Sequence, residues 1–302
     1  MQVSIIIVNY NTKDFLQNCI DSIYKHTSEV EYEILVSDNG STDGSLAMLS
    51  QDYPKVHVIA NGKNLGFGAA NNRALDIAQG KYIFYLNSDT VLLNNAVKLF
   101  FDYFESHLNE KIGAIGANLL DADNNIIHSS GTFAGFGLSF KQLLKMIISN
   151  SILSFMYILH ISPSRFVHSD KTYFFTGEVD YVTGADLFLL NNDSAKFDEN
   201  FFLYFEEADL QRQLALHGYK RLLIDGPQIQ HLCGGSVGSD FSIKRKASFS
   251  RIQFELSRVL FLKKYNHNII KLFCIKSLIS IIWINPFLIK STKKFLKQLW
   301  RI

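Results

Sequence analysis

Four times in its first ninety residues the chain runs a short apolar stretch straight into a cluster of Asn, Asp, Ser and Gly. Residues 3–8 lead to Asn9-Tyr10-Asn11-Thr12, and residues 32–37 lead to Asp38-Asn39-Gly40-Ser41-Thr42-Asp43-Gly44-Ser45. Residues 56–59 are followed by Asn61-Gly62-Lys63-Asn64-Leu65-Gly66-Phe67-Gly68, and residues 81–85 by Leu86-Asn87-Ser88-Asp89-Thr90. The apolar stretches have no helical period and read as strands covered on both faces. Helix-spaced segments lie between them, at 13–25 (Phe15, Leu16, Cys19, Ile20, Ile23) and at 69–78. Strands alternating with helices imply right-handed crossovers and a mostly parallel, Rossmann-like sheet with helices on both faces. In such a sheet every polar cluster falls on one edge, at the carboxyl ends of the strands, where open α/β sheets bind ligands.

Each cluster has a chemical use and a plainer one. Asn87 and Asp89 are oxygen donors two residues apart, so in extended chain both could meet one divalent cation and its bound phosphates; alternatively they end a strand in a turn. Asp38 could accept hydrogen bonds from a nucleobase or ribose, or serve the turn. Thr12 or Asn11 could cap the helix at 13, and Ser41 and Asp43 read as helix caps. The glycines at 62, 66 and 68 permit close backbone approach ahead of a helix N-terminus, which suits a diphosphate.

Composition narrows the class further. With 47% hydrophobic and 19% charged residues the chain is globular. The net charge of +2 conceals an asymmetry: nine Lys or Arg fall between Lys263 and Arg301, and no Asp or Glu follows Glu255. Three cysteines without paired spacing argue for a reducing compartment and against a disulfide framework or zinc knuckle. No secretory leader is expected, since Gln2-Val3-Ser4 enters a strand directly.

Taken together, residues 4–11, 37–45, 64–68 and 86–90 closely resemble glycosyltransferase family two, of the rhamnosyltransferase-like bacterial kind. The likeness continues through Gly184-Ala185, through residues 197–210, and into His231-Leu232-Cys233-Gly234-Gly235-Ser236. It implies a GT-A fold: a nucleotide-sugar-binding half (residues 1–125), an acceptor-binding and catalytic half (126–240) and a C-terminal helical segment (241–302). By resemblance, the nucleotide sugar meets Val8, Asn9, Tyr10, Asp38, Asn64, Gly66, Asn87 and Ser88. The acceptor meets Gly184, Ala185, Asp186 and Glu206. Asp89 matches the last acid of a metal-binding D-x-D, with Asn87 where its first acid would be, which leaves fewer charges on a Mn or Mg ion. His231 matches a histidine that completes the metal site in some relatives; a hydrogen-bonded structural role is its other reading. Glu207 stands at the catalytic-base position, in a Glu-Glu pair that would also suit the acidic first turn of a helix. Gln213 sits where relatives carry arginine, beside Arg212.

The implied function is inverting transfer from a UDP- or dTDP-sugar to a saccharide acceptor, lipid-linked, in surface-polysaccharide synthesis. Two other classes remain open: a sugar nucleotidyltransferase, and a non-catalytic nucleotide-binding scaffold tethered to membrane. Residues 133–161 are too interrupted for a membrane span and too apolar for a loop. Residues 269–302 mix Leu, Ile, Phe and Trp with Lys, which fits docking on an anionic membrane surface at the cytoplasmic face, or a helix pair packed on the domain. Nucleic acid is not an expected partner, because the basic region is aliphatic.

Overall fold

A computed structural model describes residues 1–158, 172–232, 249–283 and 289–302. Cys233 to Ser236, part of the last motif, lie outside the described residues. The strands are β1 (Val3–Asn9), β2 (Tyr32–Asp38), β3 (His57–Ala60), β4 (Tyr82–Asn87), β5 (Thr90–Leu92), β6 (Ile112–Ala117), β7 (Ser130–Gly131), β8 (Gly177–Glu178), β9 (Tyr181–Val182), β10 (Asp186–Leu190), β11 (Lys220–Ile224) and β12 (Ile229–His231). The helices are α1 (Lys13–His26), α2 (Ser45–Asp52), α3 (Phe67–Leu75), α4 (Ala96–Ser106), α5 (Phe136–Ile158), α6 (Glu206–Leu216), α7 (Phe249–Tyr265), α8 (Ile269–Trp283) and α9 (Ile289–Leu299).

Eight strands form one sheet in the order β3-β2-β1-β4-β10-β6-β11-β8. The expected parallel crossovers are present across β3, β2, β1 and β4, and β11 runs parallel to β6, while β10 enters antiparallel between β4 and β6. Alternate residues of β1 face opposite layers, as the pleat requires. Val3, Ile5 and Ile7 pack with Leu16, Cys19, Ile20 and Ile23 of α1 and with Phe100 and Phe104 of α4. Ile6 joins Leu35, Ile83 and Tyr85 against Ala74 of α3 and Leu210 and Leu214 of α6. Burial on both faces explains the uninterrupted apolar runs. Register then does the positioning: Asn9 pairs with Asp38, and Val8 with Asn87, so three polar clusters end level on one edge.

The chain divides into two compact units. One comprises Met1–Phe133 and Thr172–Gly238, and contains the whole sheet; the other comprises Ala134–Lys171 and Ser239–Ile302. These units cut the chain differently from the expected boundaries at 125 and 240, because α5 shares a core with the C-terminal helices. Leu143 of α5, Val259 and Leu262 of α7, Ile275, Ile279 and Trp283 of α8, and Phe295 and Leu299 of α9 form that core. Among the described residues, no helix is long and apolar enough to cross a membrane.

Candidate active site

The strand-end loops interlock through short polar side chains. Asn9 donates from its amide to Asp38 Oδ2 (2.7 Å) and to Ser41 Oγ (3.0 Å). Asp38 Oδ1 accepts from the Gly40 and Ser41 backbone N–H groups at 3.0 and 2.9 Å. Asp38 and Asn9 are fully buried. The aspartate therefore shapes the 39–41 loop directly, and anything it offers a nucleotide passes through that loop. Tyr10 projects outward, 48% exposed. Asn64 accepts from the Gly66 N–H (2.9 Å), and Asn39 bridges to the Gly66 carbonyl (3.1 Å).

Local capping departs from expectation in two respects. Thr12 spends its hydroxyl on Asn9 Oδ1 (2.7 Å) and shares a hydrogen bond with Ser88 Oγ (2.9 Å), tying β1 to the β4 loop. The first turn of α1 is served instead by Asp43, whose Oδ2 accepts from Lys13 N (2.9 Å) while Oδ1 accepts from Ser45 N (3.1 Å) at the start of α2. Asp43 is thus the cap it was expected to be. Ser41 is not one: it accepts from Asn9 and from Asn11 N and joins two loops.

Beyond Asp89 the chain turns into β5, which pairs antiparallel with β12 and sets His231 opposite Thr90. This brings His231 Nε2 to 3.1 Å from Asp89 Oδ1 and 3.4 Å from Asn87 Nδ2. Leu232 N also donates to the Asp89 carbonyl (2.8 Å). Asp89 and His231 are each 17% exposed, buried enough to be held and open enough to be reached. One hard carboxylate, one imidazole and a side-chain amide fit a Mn or Mg ion that draws its remaining ligands from phosphate and water. The described residues contain no cluster of three or more His, Cys, Asp or Glu, so the protein share of such a site is small. Cys19 lies beneath this turn with Sγ 3.6 Å from the Asn87 carbonyl; burial pushes its thiol up to about 12, and it is inert packing.

The acidic pair is placed by a strained loop. Tyr204 and Phe205 both hold φ of 68°, in the left-handed region, immediately before Glu206 opens α6. Helix α3 pins that loop. Asn72 exchanges hydrogen bonds with the backbone of Phe197 (2.9 Å each way), and Phe67 N donates to Phe202 O (2.9 Å). Gly66, at φ 92°, is where that carbonyl approaches, and a Cβ there would run into it. In this fold, close approach at Gly66 is to protein backbone. Gly62 has nothing within 4 Å of a built Cβ, and Gly68 meets the Phe197 side chain.

Glu206 is 4% exposed, with Oε2 buried and without a hydrogen-bond partner, whereas Glu207 is partly open. Burial holds the Glu206 carboxyl well above its ordinary range, and the Glu207 charge adds to this. Burial also raises Glu207, opposed by backbone N–H groups at the start of α6. The like-charge effect within the pair therefore falls on Glu206. Gly184 lies against Glu207, 3.5 Å from built Cβ to Glu207 Cβ, and Ala185 O accepts from Asn87 N (3.0 Å). One short segment thus touches both the acid of α6 and the cluster at the end of β4. Asp186 departs from the expected acceptor contact: it is fully buried in β10 and accepts from Ala117 N (2.6 Å).

The sequence reading missed Asn72 and Gln211. Gln211, fully buried, bonds both Val182 N (2.8 Å) and Val182 O (2.7 Å), fastening α6 to β9. A polar residue one helical turn after Glu207 was the available signal. Arg212 lies over the Phe133 ring at 5.0 Å.

A mostly parallel sheet with polar loops at one edge, a carboxylate–imidazole pair beside it and a buried acid at a helix start is the architecture of a GT-A fold. Residues 4–136 match the family model described as Glycosyl transferase family 2. It is 36% identical over 115 residues to the poly(ribitol-phosphate) beta-glucosyltransferase of Bacillus spizizenii, a match covering 36% of this chain and 18% of that protein. It is 22% identical over 248 residues to the N-acetylglucosaminyl-diphospho-decaprenol L-rhamnosyltransferase of Mycobacterium tuberculosis, covering 78% of each. In fold it resembles GalNAc-T7, crystallised with UDP, GalNAc and Mn2+, at a TM-score of 0.58 and 14% identity, covering 87% of this chain and 48% of that one. The chain thus matches only a small part of some relatives.

Proposed function

We propose that the protein is an inverting glycosyltransferase, moving a sugar from a UDP- or dTDP-sugar to a saccharide on a lipid carrier at the cytoplasmic face of the membrane, in surface-polysaccharide synthesis. The observation that carries this reading is the Gly184–Ala185 segment, which links the Asn87–Asp89–His231 cluster to Glu207. The donor's base and ribose lie over Val8, Tyr10 and the loop that Asp38 and Asn9 shape, and its diphosphate faces Asn64, Ser88 and Asp89. Asp89 and His231 would hold a Mn or Mg ion, which when bound stabilises negative charge on the departing diphosphate. Glu207 accepts the proton of the acceptor hydroxyl as that oxygen bonds to the anomeric carbon and the carbon–diphosphate bond breaks. Attack opposite the leaving group inverts the anomeric centre. Glu206, too buried to meet the acceptor openly, holds the start of α6.

The test is incubation with UDP-, dTDP- and GDP-sugars, with Mn or Mg, followed by product analysis. Nucleoside diphosphate release with an inverted linkage is expected, and Asp89→Ala should abolish the metal-dependent release. Pyrophosphate release would indicate a nucleotidyltransferase. Ligand-induced thermal stabilisation without turnover would indicate a binding scaffold.

A further inference from the structure

The second compact unit carries a surface that the sugar chemistry does not use. Helix α8 has apolar side chains on two opposite faces, with Lys271 and Lys276 between them. Its inner face, Ile275, Ile279 and Trp283, is buried in the unit's own core. Its outer stripe is open: Ile270 is 75% exposed, Phe273 57% and Ile281 56%, with Ile269 at the helix start 81% exposed. Trp300 stands edge-on to Phe273 at 5.4 Å, is 45% exposed, and donates from its indole N–H to Ser280 Oγ (3.2 Å). A helix with two apolar faces needs a second apolar environment. At 15 residues, roughly 22 Å, α8 is too short to cross a hydrocarbon core of about 30 Å.

The charge around it narrows the occupant. The described residues of this unit include thirteen Lys and Arg and one acid, Glu255. Glu255 is 1% exposed and consumed by Arg251 (3.0 Å) and Arg258 (3.3 Å). The unit therefore shows no acidic side chain on its described surface, while Lys293, Lys294 and Lys297 line the open side of α9 and Lys141 and Lys145 are exposed on α5. Exposed aliphatic and aromatic side chains, an interfacial tryptophan and unopposed lysines match the boundary of an anionic bilayer, which takes apolar groups below its headgroups and cations at them. Duplex nucleic acid would meet the lysines but leave the Ile–Phe stripe in water.

We infer that the second unit is a monotopic membrane dock in which the Ile270–Phe273–Ile281 stripe and Trp300 enter the headgroup boundary of anionic lipid. The dock builds on the lipid-linked-acceptor reading, yet its test involves no sugar, so the two can fail separately.

The full chain is sedimented with vesicles of phosphatidylcholine alone and with vesicles containing phosphatidylglycerol. Binding to the anionic vesicles, weakened by salt, is expected, with a blue shift of tryptophan emission arising from Trp300, since the chain's other tryptophan, Trp283, is already 4% exposed. The double variant Ile270→Ser/Phe273→Ser should bind at least about tenfold more weakly. Both side chains are exposed, and circular dichroism checks that the fold is kept. Lys293→Gln/Lys294→Gln/Lys297→Gln should weaken binding and flatten its salt dependence. No sedimentation with anionic vesicles at low salt, or undiminished binding by the Ile270/Phe273 variant, overturns the inference. So does conversion of an oligomer to a monomer by that variant with vesicle affinity unchanged, which would assign the stripe to a second copy of the chain. Capture by duplex DNA or RNA in preference to vesicles overturns it too.

Discussion

Glu206 and Glu207 are adjacent in sequence, but the fold gives them different work. Glu207 lies against Gly184 and is partly open, while Glu206 turns inward with an oxygen that no donor meets. A base must be ionised to act. Because burial raises the Glu207 pKa above 4.5, the acid limb of the rate profile should sit above the ordinary carboxylate range, with activity lost as pH falls through the raised value. Glu207→Gln keeps size and hydrogen-bonding reach but cannot take the proton, so kcat should drop by about 10²–10⁴-fold with donor affinity unchanged. Steady-state kinetics with nucleotide titration checks this, and unaltered turnover would remove Glu207 from the chemistry. Glu206 predicts a stability effect instead. Below 4.5 it is protonated in both folded and unfolded chain; above that, the unfolded form ionises freely and the buried carboxyl resists. Stability should therefore fall as pH rises from that value to the raised one, and Glu206→Gln should flatten the slope in a series of thermal melts.

At the level of elements, the site depends on α3 as much as on the acidic helix. Asn72 satisfies both backbone polar groups of Phe197, and Gly66 with Phe67 receives the Phe202 carbonyl, so α3 holds the loop whose two left-handed residues launch α6. Asn72→Ala would leave the Phe197 N–H and C=O unpaired in a buried setting, at a cost of about 2 kcal/mol or more. A lower Tm is expected together with reduced kcat. An unchanged melt and unchanged kcat would show that the loop is positioned by something else. The β5–β12 pair plays the matching part for His231, which comes from 144 residues beyond Asn87.

Across the whole molecule, the C-terminal helices are core before they are surface. Val259, Leu262 and Leu143 are covered by side chains of α8 and α9, so removing residues 269–302 would expose them together. Losing several buried aliphatic and aromatic partners at once exceeds what a unit of marginal stability tolerates. The truncated chain should aggregate, seen by light scattering, although the sheet keeps its own core. A monodisperse truncation would show that the second unit does not depend on those helices. Surface substitutions, rather than deletion, are accordingly the means of probing the membrane dock.

What the sequence determined by itself is what neighbours in the chain can encode. The period of apolar residues marked the strands and helices, and short polar side chains at strand ends marked the ligand edge, because turn chemistry and pleat are local. Asp43 as a cap and Asp89 as an edge residue were legible for that reason. Only the tertiary structure decided the rest. Strand register set Asn9 against Asp38 and buried both; pairing of β5 with β12 delivered His231 to Asp89; insertion of β10 into the sheet buried Asp186. The close approach at Gly66 was visible in sequence as a glycine, but its partner, the Phe202 carbonyl, was not. Each of these depends on which distant segments pair and which side chains then lose water, and no local pattern carries that information.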